Sequence, residues 1–220
     1  MVSVNSFKLY QEFLANKAQV GGTLSTTQFN QLCFRSVMTK FERDYQTFLA
    51  TGEVSEFLKI YLKNTVFNVP ASGEYPYPSD YQHLSSIRKY FIKTNGQGAM
   101  IKVTEVSNEA WGLLQISSLQ EPSLRFSKYN EFSGNIRFLP KNISIVECDY
   151  FKTPVQPMWG FTMVNNRPVY DPATSTNFEM MEYSTNEIAG IFLTLIGANL
   201  REGDLLAWSQ QYKSENNSKL

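Results

Sequence analysis

One helix signal in the amino-terminal quarter constrains the fold more than any other feature of the sequence. Ser25 and Gln28 have the spacing of a capping box, in which two side chains satisfy free backbone N–H groups at a helix start. Apolar residues then recur at steps of three and four from Phe29 to Phe48, and Gly52 follows as a stop signal. This pattern predicts a long amphipathic helix with one buried stripe.

Helical spacing also appears towards both ends of the chain. Ser184 and Glu187 have the spacing of a second capping box, and apolar residues follow at helical steps from Ile188 to Ile196. With the long helix, the predicted helices are therefore 6–16, 25–51, 54–62, 186–198 and 204–212.

Between these helices the pattern changes to that of strands. A region rich in tyrosine and proline, 70–78, is excluded from regular helix. Alternating apolar residues predict strands at 87–92, 99–106, 126–132, 135–139 and 144–151, with a short helix at 108–116. Four prolines between Pro154 and Pro172 predict an extended, irregular stretch, because proline donates no ladder bond.

This order of elements predicts an α+β fold of one composite domain. Residues 1–66 form an amino-terminal helical segment, residues 67–176 a β-rich central region, and residues 177–220 the carboxy-terminal helices. We expect the two helical ends to pack together as a bundle, with the β-rich region as an insertion between them.

Few residues point to catalysis. His83 is the single histidine and has no histidine or cysteine nearby, so we expect neither a metal site nor a histidine base. The sequence has no phosphate-binding loop and no Gly-x-Ser-x-Gly elbow. Glu147 and Asp149 should point to the same face of a strand. They would suit a cation site or a glycosidase-like site, but the solvent face of an antiparallel sheet gives the same pattern.

Composition favours a protein that packs or assembles over one that binds nucleic acid. Lysine plus arginine equals aspartate plus glutamate, 20 each, so no net charge attracts DNA or an anionic membrane. Charged residues make up only 18% and aromatic residues 14%, a balance found in large cores and at protein interfaces. No apolar run could span a bilayer and no secretory signal is evident. Cys33 and Cys148 are expected to be buried free thiols.

Several stretches carry a resemblance to a known group of proteins. They are NIRFLPKNI (135–143), DYFKTPVQPMWGF (149–161), NRPVYDPATSTNFE (166–179) with the helix that follows, and the amino-terminal NKAQVGG (16–22). Together they resemble a structural protein of tailed phages and prophages of Bacteroides-type bacteria, including the crAss-like phages. In size and helix–strand–helix order the chain is similar to the head–tail adaptors of short-tailed phages.

The resemblance implies a non-enzymatic virion protein at the head–tail junction or in the tail, assembled in the host cytoplasm. Copies would form a homo-oligomeric ring, of twelve if it matches the portal protein. That ring would bind the portal and other tail proteins, and DNA would pass through its channel without sequence-specific binding. The resemblance implies no cofactor, no metal and no membrane.

A ring interface joins two different faces of neighbouring subunits and needs exposed apolar surface in the free subunit. The segment 154–172 is predicted to reach a neighbour as an arm, with Pro157, Trp159, Phe161 and Tyr170 as anchors. A core position for Trp159 in its own subunit is an equal alternative. Two other functions stay open: a small hydrolase or processing factor that uses Glu147 and Asp149, and a tail protein that contacts the host.

Overall fold

The computed structural model describes residues 1–17, 24–92, 96–116 and 121–200, so the predicted helix at 204–212 lies outside the described residues. The helices are α1 (Val4–Lys17), α2 (Thr26–Thr51), α3 (Glu56–Lys59), α4 (Asn108–Ile116) and α5 (Thr185–Leu200). The strands are β1 (Leu62–Asn68), β2 (Glu74–Pro76), β3 (Tyr81–Ile92), β4 (Gly98–Lys102), β5 (Thr104–Glu105), β6 (Lys128–Phe132), β7 (Asn135–Leu139), β8 (Ile145–Lys152), β9 (Phe161–Val164) and β10 (Arg167–Tyr170).

Contacts divide the chain into two compact units. Met1–Ile60 and the residues from Pro154 onward form one, here called the helical unit. Tyr61–Thr153 form the other, here called the sandwich unit.

The long helix predicted from the capping box is confirmed as α2. The Ser25 hydroxyl accepts from the Gln28 N–H, and the Gln28 side chain accepts from the Ser25 N–H at 3.0 Å. Gly52 ends the helix with a φ of 77°, a left-handed conformation that glycine adopts without a steric penalty. The helix buries the predicted stripe, including Phe29, Leu32 and Phe41. The buried part of the stripe ends at Asp44, and Tyr45 and Phe48 beyond it are only partly buried.

An aromatic cluster forms part of the core of the helical unit. The Phe7 ring lies 4.8 Å from that of Phe178 and 5.6 Å, edge to face, from that of Phe192. Phe29 also meets Phe192 edge to face, at 5.5 Å. Aromatic pairs in this geometry add to the gain from burial. The cluster therefore joins α1, α2 and α5 through residues distant in sequence.

A partly buried ion network connects α2 with α5. The Lys40 ammonium lies 2.9 Å from Asp44 and 2.7 Å from Glu187, and Arg43 also pairs with Glu187. Burial lowers the pKa of Lys40, and the hydrogen bond to Asp44 opposes that effect. The second predicted capping box is wrong as a result. Glu187 is engaged by these two cations, and the buried Ser184 hydroxyl has no partner among the described residues.

The sandwich unit contains two four-stranded sheets, with strand orders β1-β8-β3-β4 and β2-β7-β6-β5. The first sheet, called the main sheet below, is antiparallel throughout. Its inner side chains, such as Ile87 and Val146, share one buried cluster with Ile136 and Phe138 of the second sheet. The two sheets therefore pack face to face around a common core, which leaves one face of the main sheet outward.

The expected architecture, a head–tail adaptor-like helical bundle of the two chain ends with a β-rich insertion, is wrong. The chain is mixed α+β, with about 37% helix and 33% strand in three sheets, and its helices do not make a terminal bundle. Apart from α2, the helices are short. The third sheet is the β9–β10 hairpin, formed within the segment that proline content had predicted to be irregular. The segment 54–62, predicted to be helical, gives only the four-residue α3 before β1 begins.

Candidate subunit interface

The segment predicted to form an arm contains a two-residue β-hairpin. Strand β9 pairs antiparallel with β10, and Val164 stands opposite Arg167 beside the turn. The two turn residues, Asn165 and Asn166, have φ angles of 49° and 60°. Positive φ at both positions is the mark of the type I′ turn, whose twist matches that of paired strands.

One face of this hairpin is entirely apolar. Alternation along the strands places Phe161 and Met163 of β9 on the same face as Pro168 and Tyr170 of β10. We call these four residues the hairpin face. Phe161 is 42% exposed and Met163 59%, and Tyr170 is partly buried. A two-stranded hairpin is marginally stable by itself, so an apolar face this open is suited to a partner that covers it.

Trp159 anchors the base of the hairpin in the helical unit. Its backbone N–H donates to Asn30 Oδ1 at 2.8 Å, and its indole N–H donates to Asn5 Oδ1 at 3.1 Å. The Lys8 ammonium lies 3.5 Å from the ring centroid, a cation–π contact. The indole ring also packs against Phe161 and Tyr170, at centroid distances of 6.0 and 5.9 Å. Trp159 thus fixes the base of the hairpin, and two residues of the hairpin face, Phe161 and Tyr170, pack against its ring.

The four predicted anchors therefore occupy different environments. Pro157 and Trp159 are buried within the described chain, Tyr170 is partly buried, and Phe161 is exposed. The structure brings Trp159, Phe161 and Tyr170 into contact, and Pro157 is buried two residues before Trp159. Sequence reasoning missed Met163, because the alternation that places it beside Phe161 becomes visible only once the hairpin is recognised.

Glu147 and Asp149 lie on the outward face of the main sheet, in a ladder of polar side chains. Asn64 donates to both carboxylates, at 2.8 and 2.6 Å. Arg88 lies 2.6 Å from Asp149 and 3.5 Å from Glu147, and Ser86 also donates to Asp149. These partners come from β1 and β3, the two strands that flank β8. The ladder occupies a sheet face, and its contacts are those of cross-strand stabilisation.

Apolar side chains surround this ladder on the same outward face. Val66 stands opposite Glu147, and Tyr90 stands opposite Met100, while Ile145 and Ile92 follow by alternation. We call this set of five the sheet face, and its members are between 46% and 63% exposed. The Tyr90 hydroxyl lies where a Cβ at residue 98 would be, so glycine there lets the ring lie close to the backbone.

A carboxylate with tyrosine partners lies elsewhere in the sandwich unit. Tyr77 and Tyr81 stack at 4.2 Å, and both hydroxyls donate to Glu131, at 2.8 and 2.7 Å. Burial raises the pKa of both phenols above their usual range, and the hydrogen bonds to Glu131 raise it further. The phenols therefore remain protonated donors at neutral pH, which suits a structural network.

The described ranges show neither a metal-binding cluster nor a membrane-spanning helix. No group of three or more histidine, cysteine, aspartate or glutamate side chains there could hold a metal ion. None of the described helices is both long enough and apolar enough to cross a membrane.

Comparison with known proteins gives no family for this chain. No protein family profile matches the sequence, and no curated protein matches it either.

Proposed function

We propose that this chain is a structural protein of a tailed-phage virion and forms a ring in the head–tail connector. In this role copies of the chain bind one another, the portal and later tail proteins. The ring links the portal to the tail and extends the channel through which DNA passes. The proposal combines the resemblance of the sequence with the interface chemistry of the hairpin.

The hairpin face is the observation that carries this proposal. All eight residues of β9 and β10 are exposed or only partly buried, and one side of the hairpin is apolar from Phe161 to its tip. Water-exposed apolar residues gathered on a rigid projection are typical of surfaces that become buried on association. Trp159 holds the projection in place, so little ordering of the chain is needed at assembly.

The sheet face adds a second exposed apolar surface on a different unit. A ring needs two different complementary surfaces on each subunit, because a heterologous contact repeats until the rotation closes. The hairpin face and the sheet face give the chain two such surfaces. The balance of 20 basic and 20 acidic residues suits a channel that lets DNA pass without holding it.

Sedimentation and electron microscopy with matched variants test the proposal. We expect the wild-type chain, alone or with its portal, to form rings, and Met163→Asp to stay monomeric because it places a charge on the hairpin face. Thr162→Asp is the control, since it adds the same charge to the same strand on the opposite face. A wild-type chain that stays monomeric and ignores the portal would refute the proposal. Unimpaired rings of Met163→Asp would show that the hairpin face is not the contact between subunits.

A further inference from the structure

We infer that consecutive copies in the ring join edge to edge, the free edge of β1 in one copy pairing with the free edge of β4 in the next. This inference rests on the proposed ring and names a contact within it. The occupant of each edge is a second copy of this chain, and the contact is heterologous. The main sheet then continues from copy to copy.

The main sheet has two open edges. β1 and β4 are its edge strands, and no described strand pairs with the outer side of either. β1 has seven residues and β4 has five, and each pairs with its inner neighbour without a register shift. Proteins commonly protect edges with a proline, a bulge or a covering element. Neither strand contains a proline or a bulge, so both edges can accept another strand.

The ladder bonds show which backbone groups of β1 point away from the sheet. The Lys152 N–H donates to the Tyr61 carbonyl, and the Val69 N–H donates to the Ser144 carbonyl. Bonded and non-bonded positions alternate in an antiparallel ladder, so the odd-numbered residues of β1 bond β8. The N–H and C=O groups that point outward belong to Leu62, Asn64, Val66 and Asn68.

The outer edge of β4 follows from the same alternation. The Val103 N–H donates to the Ile87 carbonyl, so the odd-numbered residues of β4 bond β3. The outward groups belong to Gly98, Met100 and Lys102. Within the described part of the chain, no backbone hydrogen bond occupies these positions or the outward positions of β1.

The two edges match in strand direction and in face. The four strands are antiparallel throughout, so β4 runs opposite to β1. Copies related by rotation about an axis along the strands therefore bring β4 antiparallel to β1 of the next copy. The outward positions of both strands carry side chains of the outward face, which Val66 and Met100 share. Opposite residues of an antiparallel pair lie on one face, so the joined sheet keeps its buried side buried.

One register brings the exposed apolar residues of the two edges together. Val66 is 61% exposed and Met100 is 46% exposed. Placing them opposite each other keeps three bonded pairs within the two strands and covers both side chains. The cations of these strands, Lys63 and Lys102, then lie opposite Val103 and Asn64, so no like charges meet.

This register also has the stagger of a closed sheet. Within one copy, Val66 and Lys102 lie in the same row across the four strands. Pairing Val66 with Met100 of the next copy therefore shifts the register by two residues per copy. Sheets that close on themselves have a regular stagger of this kind.

Cysteine crosslinking within assembled rings tests the contact directly. The double variant Val66→Cys/Met100→Cys carries one thiol on each edge, about 14 Å apart within a chain at ~4.8 Å per strand spacing. Opposite residues of a bonded pair have Cα atoms about 5.5 Å apart, which suits a disulfide. We expect mild oxidation to give a ladder of covalent oligomers that ends at the copy number of the ring. The native thiols are buried and should not contribute.

The matched control moves one thiol a single strand inward. Tyr90 stands opposite Met100 on β3 and is 51% exposed, but it lies one strand from the edge. Val66→Cys/Tyr90→Cys should therefore give no ladder. Either single variant, Val66→Cys or Met100→Cys, should stay uncrosslinked, because the contact is heterologous.

A proline at the β1 edge gives an independent readout. The Val66 N–H points away from β8, so Val66→Pro keeps the bonds to β8 and removes one outward donor. We expect Val66→Pro to raise the protein concentration needed for ring assembly by roughly tenfold. Val66→Thr is the control, since it keeps the N–H and the branched side chain and should change that concentration little. Circular dichroism checks that both variants are folded.

The outcomes separate this inference from the proposed function. Rings that give no ladder with Val66→Cys/Met100→Cys would overturn the inference and leave the ring proposal standing. A ladder of equal yield from the Tyr90→Cys control would overturn it too, as would crosslinked dimers of a single variant. Folded Val66→Pro that assembles as readily as Val66→Thr would count against it in the same way. A chain that never assembles, even with portal, would overturn both.

Discussion

Replacing Asp149 with asparagine separates a structural role of the carboxylate ladder from a catalytic one. Asp149 accepts from Asn64 at 2.6 Å, from Ser86 at 2.8 Å and from Arg88 at 2.6 Å. The asparagine amide keeps the shape of the side chain but loses its negative charge. Its NH₂ group cannot accept a hydrogen bond from the donors that face the carboxylate. In a ladder that stabilises the sheet, this change must lower the free energy of unfolding.

The expected loss follows from these contacts. Arg88 is 41% exposed, so solvent screens the ion pair and limits its contribution to about 0.5–1 kcal/mol. The bonds from Asn64 and Ser86 contribute about 1 kcal/mol each, and the amide oxygen can keep one of them. We therefore expect Asp149→Asn to cost about 2 kcal/mol. In a chain of 220 residues this corresponds to a fall in Tm of roughly 4–8 °C.

Urea unfolding followed by circular dichroism measures this loss. Glu74→Gln is the control, because Glu74 is exposed on β2 and has no ion pair among the described residues, so its effect should stay within about 0.5 kcal/mol. A double-mutant cycle with Arg88→Met should give a coupling of about 0.5–1 kcal/mol. If Asp149→Asn proved as stable as the wild type, or more stable, the reasoning would fail. Catalytic groups often carry a stability cost of that kind, so the hydrolase alternative would gain support.

Three further predictions concern the core, the pH dependence and the base of the hairpin. Burial raises the pKa of Cys33, and that of Cys148 to about 12, so neither thiol should react with a disulfide reagent until the chain is unfolded. The hydrogen bond from Lys63 holds the pKa of Asp80 below its usual value. Its stabilisation is therefore present above the ordinary carboxyl pKa of about 3.9 and is lost as the pH falls through the folded value. Urea midpoints of Asp80→Asn should accordingly fall less than those of the wild type between about pH 6 and about pH 3. Trp159→Phe removes the indole donor to Asn5 and should cost at least about 1 kcal/mol in urea unfolding, with a smaller further loss when Asn5→Ala is added.

The success and failure of the two capping boxes show how far local chemistry determines a helix start. Ser25 and Gln28 are exposed, so nothing competes for their side chains and the local motif forms as predicted. Ser184 and Glu187 have the same spacing, but Lys40 and Arg43 on α2 form ion pairs with the glutamate. These cations are more than 140 residues away in sequence, so no local pattern could reveal them.

The sequence analysis did not predict strand β1, because almost none of its residues is buried and its sequence therefore lacks the alternation of apolar and polar residues. Only Phe67 of its seven residues is buried, since β1 is an edge strand that pairs with β8 alone. Apolar residues at Phe57, Leu58, Tyr61 and Leu62 also have helical spacing across the end of α3 and the start of β1. Pairing with a strand some 80 residues later overrides that local preference. Strands β6 and β7, joined by a Ser133–Gly134 turn, were predicted correctly because a tight turn fixes their register.

The hairpin was missed for a related reason, and its proline explains how it can exist. The Asp171 N–H donates to the Gly160 carbonyl at 3.0 Å, which makes these two residues a hydrogen-bonded pair. In an antiparallel ladder bonded and non-bonded pairs alternate, so Pro168 and Met163 form a non-bonded pair. The nitrogen of Pro168 therefore faces away from β9, and the ladder loses nothing by lacking its N–H.

The same placement limits how the hairpin can associate. An exposed strand edge invites further strands, and a proline on that edge removes one of the donors that such pairing needs. Pro168 lies on the outer edge of β10, so growth of the sheet on that side is hindered while the apolar hairpin face stays open. Association through a face has a fixed partner surface and can close into a ring, whereas edge addition can continue from chain to chain. The prolines of this segment, Pro168 among them, led to the prediction of an irregular stretch. The position of Pro168 is nevertheless consistent with a hairpin that associates through its apolar face.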